Sequence, residues 1–307
     1  MFEKVFLAGH NGMVGRAILL ALKKAGYENI ITIDHTKLDL CNTKEVFHFI
    51  EKHQPDIVID AAAKVGGIYA NSVDPYSFLM QNLLIQNNLI DSSFKLGVKK
   101  FIFLGSSCVY PKNTQNPIKE ESLLTGSLEQ TNEYYAIAKI AGIKACEAIA
   151  NQHKLDYFSL MPPNLYGPSD NFDLVTSHVV AALIKKIHLA KISKTNVTLW
   201  GSGKPIRELM FVEDFADALV FLLNKKETPS LINVGVGKGI DIHSLAKKIQ
   251  LIVGHLGAIE WDEKMPDGTP QKILDTSYMS SLGWHAKTPL EEGLKKTYEW
   301  FIAKEKN

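Results

Sequence analysis

VFLAGHNGMVG, residues 5–15, is the stretch on which the reading of this chain turns. Its first five residues (VFLAG, 5–9) read as a short buried strand, and the amphipathic pattern over 14–25 reads as a helix. Between them Gly9, Gly12 and Gly15 are interleaved with His10, Asn11, Met13 and Val14. A tight turn, a close backbone approach and a helix N-terminus together make a pyrophosphate site, because free amides and the helix dipole converge on one point. A glycine-rich loop with no ligand is the plainer alternative, and the strand–turn–helix context argues against it.

The same rhythm continues outward from that turn. NIITID (29–34), DIVIDAA (56–62), FIFLG (101–105) and YFSLM (157–161) are strand-like, and helical stretches at 44–53, 76–96 and 134–150 separate them. Buried strands alternating with helices of this length predict an α/β fold, a Rossmann-type parallel sheet. From about residue 160 the pattern changes. A helix is expected over roughly 176–190, then a strand, a Gly/Pro turn and a helix within 197–223, a strand at INVG (232–235) and a final helix near 290–303. The expected organisation is a nucleotide-binding domain over 1–165, with segments near 211–235 returning to it, and a smaller, mainly substrate-binding domain over 166–307.

Bulk composition narrows the classes. The chain has 307 residues, 46% of them hydrophobic, which suffices for one large core or two modest ones. Its formal net charge of +1 lacks the basic excess of a nucleic-acid binder. No run approaches the roughly 18 uncharged apolar residues of a membrane span. The N-terminal MFEKVFLAGH enters a strand pattern at once, so no signal peptide is expected. Cys41, Cys108 and Cys146 follow neither a metal spacing nor a disulfide framework, which suits a reducing, cytoplasmic setting and no metal.

Two further places carry chemistry. The second strand ends at Asp34, with His35 and Lys37 beyond it. A carboxylate there accepts from a ribose 2′-hydroxyl and favours NAD, whereas nearby cations favour the 2′-phosphate of NADP. Asp34 reads equally well as an exposed turn acid, and Asp39 is the better candidate for a contact near the adenine. In YYAIAK, Tyr135 and Lys139 stand four residues apart on one helix face. An ammonium there lowers the phenol's pKa and orients a ribose. Ser106, at the end of the preceding strand, donates to the same carbonyl oxygen while the phenol delivers a proton. Tyr134 is five residues from Lys139 and reads as packing or as substrate-side. Cys108 taken alone is a small buried hydrophobe, His178 an ordinary helix or core histidine, and Arg207 an ion-pair partner or a diphosphate fork.

The blocks GHNGMVG, AAAKVGGIYAN, LGSSCVYP, YAIAKIAGIK, NLYGPSDNFD, SHVV, WGSGKPIREL and PDGTPQK, in this order along essentially the whole chain, resemble the GDP-L-fucose synthase family of extended short-chain dehydrogenases. The resemblance implies a homodimeric, NADPH-dependent 3,5-epimerase/4-reductase acting on a GDP-4-keto-6-deoxy sugar. It implies that Ser106, Tyr135 and Lys139 form the reductase triad and that Cys108 and His178 form the base and acid of epimerisation. It also implies cofactor contacts from Gly9 to Gly15, from Asp34, Asp39 and Leu40, from Leu104, Gly105, Ser106 and Ser107, from Lys139, from Pro162, Pro163, Asn164 and Leu165, and from His178. Lys186, Trp200, Arg207 and Asp267 are the implied sugar-nucleotide contacts. The chain departs from the family pattern at Asn11 and His35, where arginines would favour a 2′-phosphate, so NADH is expected to be tolerated beside NADPH. Lys186 stands for an arginine and Pro163 for a threonine. These departures keep open a C4 reductase of a related sugar such as a heptose. A non-enzymatic nucleotide-binding redox sensor is the reading from another class, and the intact triad argues against it.

Overall fold

A computed structural model of the chain describes residues 2–226, 228–265 and 267–305; Pro266, in the PDGTPQK block, lies outside the described residues. The N-terminal half is built from β1 (Val5–Ala8), α1 (Met13–Lys24), β2 (Ile30–Ile31), α2 (Thr43–His53), β3 (Ile57–Asp60), α3 (Ile68–Val73), α4 (Pro75–Lys95), β4 (Lys100–Leu104), α5 (Glu133–His153) and β5 (Asp156–Met161). The remaining elements are β6 (Asn164–Tyr166), α6 (Val179–Ser193), β7 (Val197–Trp200), β8 (Ile206–Phe211), α7 (Val212–Leu223), β9 (Leu231–Asn233), β10 (Gly239–Asp241), α8 (Ile242–Val253), β11 (Ile259–Asp262), β12 (Gln271–Lys272), α9 (Ser277–Ser281) and α10 (Leu290–Glu305).

Local chemistry sets these boundaries. The Asn42 side chain accepts from the amides of Lys44 and Glu45 and starts α2, and Gln54 in the left-handed region ends it. Pro75 opens α4, where its missing N–H costs nothing. β1 and β3 are buried at every position, as strands covered on both faces must be.

The main sheet has six parallel strands in the order β2-β1-β3-β4-β5-β9. The order of strand addition reverses between β1 and β3, so a crevice opens at their C-terminal ends, the usual ligand position of a doubly wound sheet. One face packs Leu7, Ile18, Ile102 and Phe158 against Phe215, Leu219 and Leu222 of α7. The other packs Phe6, Val58, Phe101 and Phe103 against Leu89 of α4 and Ile143 of α5. A separate core joins Leu183, Ile187, Leu199, Leu245, Ile249 and Phe301. Each such side chain contributes about 1.5–3 kcal/mol when fully buried.

Three of the differences between the structure and the sequence-based expectation have a clear local cause or bear on the site. The strand expected over 29–34 shortens to β2, because the Asp34 carbonyl already accepts from Lys37 and Leu38 in a turn. The Gly/Pro turn of 201–205 leads into a strand, β8, which the sequence reading lacked. It pairs with β6 and β12 in parallel and with β10 antiparallel. The helix expected from 176 begins at Val179, because the Asp173 carboxylate captures the amides of Val175 and Thr176 in a loop.

Candidate active site

The glycine turn lies at the sheet's switch point. Gly9 takes a positive φ of 78°, and a Cβ there would meet the Ala61 carbonyl oxygen at 2.5 Å, just beyond β3. A Cβ on Gly15 would collide with the Gly9 carbonyl, so α1 begins directly against the turn. Gly12, the residue that caps α1, is exposed, and a Cβ there would meet only the Gly9 carbonyl oxygen at 3.6 Å, which leaves room for a diphosphate at the helix N-terminus. This arrangement fits a dinucleotide.

Around the turn, Asn11 Nδ2 donates to Asp34 Oδ1 at 2.7 Å, and Arg16 Nε donates to the Asn11 carbonyl at 2.8 Å. The Asp39 carboxylate accepts from the nearby amide of Cys41. The Leu40 carbonyl accepts from Asn88. His10, Met13 and Val14 are half-buried in the turn, with Met13 and Val14 packed on the core.

A second group of residues meets in one cavity of about 330 Å³. Ser106, Ser107, Cys108, Tyr135, Asn164, His178, Lys186, Trp200, Arg207 and Asp267 all line it. The shelf at the end of β4 exists because Gly105 N donates to Leu160 O and Ser107 N to Pro162 O, which pins the turn to the end of β5. Pro162 and Pro163 are buried there, and Leu165 packs on the core behind them. Ser106 Oγ accepts from the Cys108 amide at 3.3 Å and caps the short turn of residues 107–109. The glycine turn and the adenine-side candidates are not among the cavity's lining residues.

Tyr135 and Lys139 leave α5 on the same face. Lys139 is buried; its Nζ donates to the Leu104 carbonyl at 2.8 Å and lies 4.5 Å from the Phe103 ring centre and 5.9 Å from that of Tyr135. Tyr134 points to solvent instead. The expected lowering of the Tyr135 pKa is not what the surroundings produce. Burial pushes the phenol up, and the charges of Cys108 and Asp60 push the same way. Burial pushes Lys139 down, with Asp60 and Cys108 opposing it.

The candidate pair Cys108 and His178 shows the same effect. Burial raises the Cys108 thiol, while Lys272, Ser106 and Lys139 pull it down less strongly. His178 caps α6 with an extended backbone and opens into the cavity; the surrounding walls still disfavour its imidazolium. The neutral thiol and neutral imidazole are therefore the favoured forms at rest.

Lys272, on β12, is a candidate site residue that the sequence reading missed. It lines the cavity and is the foremost cation acting on Cys108. Its only sequence signal is its place two residues after Pro270 in the PDGTPQK block. At the far end, Lys186 Nζ sits 4.6 Å from the Trp200 ring centre. Arg207 donates to the carbonyls of Ile206 and Asp267. The Asp267 carboxylate accepts from the Ser202 amide and hydroxyl, so it braces the 201–203 turn.

Comparison with known proteins agrees with this architecture. Residues 5–235 match the family described as NAD dependent epimerase/dehydratase. The GDP-L-fucose synthase of Sinorhizobium fredii is 51% identical over 98% of this chain and 96% of its own length. The GDP-mannoheptose C4 reductase of Campylobacter jejuni, solved with NADP bound, superposes with a TM-score of 0.90 at 34% identity, covering 98% of each chain. A GDP-L-fucose synthetase of Naegleria fowleri, also solved with NADP, gives a TM-score of 0.91 at 26% identity over 100% of this chain and 96% of that one. With a family match over residues 5–235 and a relative sharing half its residues end to end, the chain belongs to the NAD dependent epimerase/dehydratase family.

Proposed function

We propose that this protein converts GDP-4-keto-6-deoxy-D-mannose to GDP-L-fucose, first by epimerisation at C3 and C5 and then by NADPH-dependent reduction at C4. The observation that carries the reading is the convergence of Ser106, Cys108, Tyr135 and His178 with Lys186, Trp200 and Arg207 on one cavity. The likeness to fucose synthases over nearly the whole chain supports the substrate.

A C4 ketone acidifies the protons on C3 and C5, because either carbanion delocalises onto the carbonyl oxygen. Cys108 as thiolate removes such a proton, and His178 as imidazolium returns one from the opposite face. Ser106 and the Tyr135 hydroxyl hold the oxygen while it carries charge. Because burial favours neutral Cys108 and neutral His178, the reactive ion pair is a minor form at rest. Lys272 is the cation best placed to raise its share. NADPH held at the glycine turn would supply the hydride that C4 receives. Tyr135 gives its proton to O4, and Lys139, fixed on the Leu104 carbonyl, supports the phenol and would orient a cofactor ribose. Arg207 and Trp200 suit a diphosphate and a nucleobase at the cavity's far end.

The second reading, C4 reduction of a related GDP-4-keto sugar such as a heptose, draws on the Campylobacter likeness and on Lys186 in the cavity wall. A homodimer is supported by Val73 of α3, Tyr76 and Leu84 of α4, and Tyr134 and Ile137 of α5, all exposed apolar residues on neighbouring helices. Light scattering at micromolar concentration should give twice the chain mass. The three cysteines, all unpaired, accord with a cytoplasmic setting, and among the described residues no helix is long and apolar enough to cross a membrane.

The function is tested by deuterium uptake from D₂O together with product stereochemistry. Wild-type protein should wash deuterium into C3 and C5 and yield GDP-L-fucose with NADPH. C108A should exchange poorly and release unepimerised reduced sugar. Wild-type exchange rates in C108A would remove the thiol from the base role. A wild-type product unepimerised at C3 and C5 would favour the reductase reading.

A further inference from the structure

Beneath the reductase pair lies a carboxylate that the mechanism above leaves unused. Asp60 ends β3, has no exposed surface, and stands in strand register with Phe103 of β4. Its Oδ1 accepts from the Ala62 amide at 3.1 Å, and its Oδ2 has no hydrogen-bond partner. A turn role alone does not explain this residue. Asparagine or serine would accept the same amide without burying an ionisable group, whose desolvation is costly unless a charge compensates it.

The compensating charge is Lys139. Its ammonium lies over the ring of Phe103, the strand partner of Asp60, and is anchored to the next carbonyl, Leu104. The two groups act on each other in both directions. Burial pushes Asp60 up to about 6 while Lys139 pulls it down, and Asp60 in turn raises Lys139 against its own burial. The other titratable groups facing this spot are Tyr135 and Cys146 from α5, both raised by Asp60, and Cys108 from the 107–109 turn, which acts on Lys139. From the sheet come Phe103 of β4 and Ser159 of β5, whose buried Oγ also lacks a partner. α4 presents neutral amides, Asn82 and Gln86.

We propose that Asp60 is a positioning residue of the reductase pair: its buried carboxylate is the counter-charge that keeps Lys139 protonated beneath Tyr135. The inference rests on the reading of Tyr135 and Lys139 as the groups that serve ketone reduction. With Asp60 ionised, both the ammonium and the phenol hold their protons to higher pH. Without it both become stronger acids, and the proton needed at O4 is lost earlier as pH rises.

The test is the pH profile of kcat for ketone reduction in wild-type protein, D60N and Y135F, with NADP+ affinity and thermal melting measured in parallel. D60N should move the alkaline limb to lower pH by about half a unit or more, because one nearby charge has been removed. NADP+ affinity and KM should stay near wild type. An unshifted limb in a folded D60N that binds NADP+ overturns the proposal. A reciprocal measurement does not need a variant at residue 60. In a D170N background, which removes the carboxyl held near pH 7, the infrared band of a buried protonated carboxyl should titrate away near pH 6, and its midpoint should rise when K139M is added and the ammonium is gone. An unmoved midpoint overturns the proposal equally. Failure of the underlying reading looks different, because Y135F would then reduce the ketone at a near-normal rate whatever D60N does.

Discussion

The Asn11 amide grips the Asp34 carboxylate at the place where an adenosine ribose is expected, and Arg16 reaches the same loop from α1. Asp34 therefore leans toward the glycine turn, while a guanidinium stands one helical turn along. Two like charges about 4 Å apart and fully screened by water, as a carboxylate and a 2′-phosphate would be here, cost about 1 kcal/mol, roughly a five-fold change in preference. NADPH should be used with modest discrimination against NADH, and D34N should raise the NADPH:NADH ratio of kcat/KM several-fold. R16A should lower it. Measuring kcat/KM for both cofactors in the three proteins checks this, and an unchanged ratio in D34N would place Asp34 away from the ribose. At Tyr135 the expected effect is larger. Y135F keeps the ring, so cofactor binding should persist while turnover falls by roughly 10²–10⁴-fold, the range for losing a general acid. Single-turnover reduction with NADP+ binding measured alongside separates the two effects. Ser106, Tyr135 and Lys139 are singled out in the sequence by the Tyr–Lys spacing in combination with the glycine loop and the strand-end serine. The electrostatics are not legible there. A lysine four residues from a tyrosine suggests an acidified phenol, but burial, joined by the charges of Cys108 and Asp60, pushes the phenol in the opposite direction.

Among the elements, those with strong local signals appear where the pattern puts them. β1, β3, β4 and β5 are apolar throughout or nearly so, and α5 runs well past Lys139 before Lys154 ends it in the left-handed region. β8 and β12 escape a sequence reading for a physical reason. RELMF carries two charged residues, and Gln271 and Lys272 pair with β8 over only two residues, so periodicity has nothing to register. Glu208 of β8 accepts from the amides of Val236, Gly237 and Leu274, a tertiary clasp that no local pattern announces. The loop before α6 is similar. Asp170 sits between Gly167 and Ser177 with Oδ2 shielded and without a partner, and burial raises its pKa to about 7. A carboxyl raised in the folded state contributes stability below its unfolded pKa near 4, and that contribution is lost as pH rises through about 7. Denaturant midpoints of the wild type should therefore fall across that window. D170N should flatten the profile and be more stable at pH 8 by at most about 4 kcal/mol. Equal midpoints for the two proteins at pH 8 would show that the carboxylate is solvated or paired in solution.

Across the whole molecule, the decisive fact is that the first core is not built from the first half of the sequence alone. β9 pairs with β5 through Ser159, Leu160 and Met161, and α7 lays Phe215, Leu219 and Leu222 on the sheet face that holds Leu7, Ile102 and Phe158. Met279 and Trp284 join that face from still later in the chain. The tail is bound there by polar contacts as well: Trp284 donates to Asp217, and the amides of Lys287 and Thr288 donate to Asp214. β8 enters α7 with no intervening loop, so the segment that carries Arg207 to the cavity and the helix that closes the first core are one continuous stretch. Cleft geometry and sheet stability are coupled through that stretch. A chain ending at residue 165 would lack β9 and α7 and would leave one apolar sheet face open, with an unpaired edge at β5. It should be aggregated or molten rather than an independent nucleotide-binding unit. Adding residues 206–235 in trans as a peptide should restore some NADP+ binding if the returning segment supplies what is missing. The readouts are near-ultraviolet circular dichroism and NADP+ affinity. A 1–165 fragment that is monomeric, cooperatively folded and binds NADP+ like the full chain would mean that α7 and β9 are passengers on a sheet that stands without them.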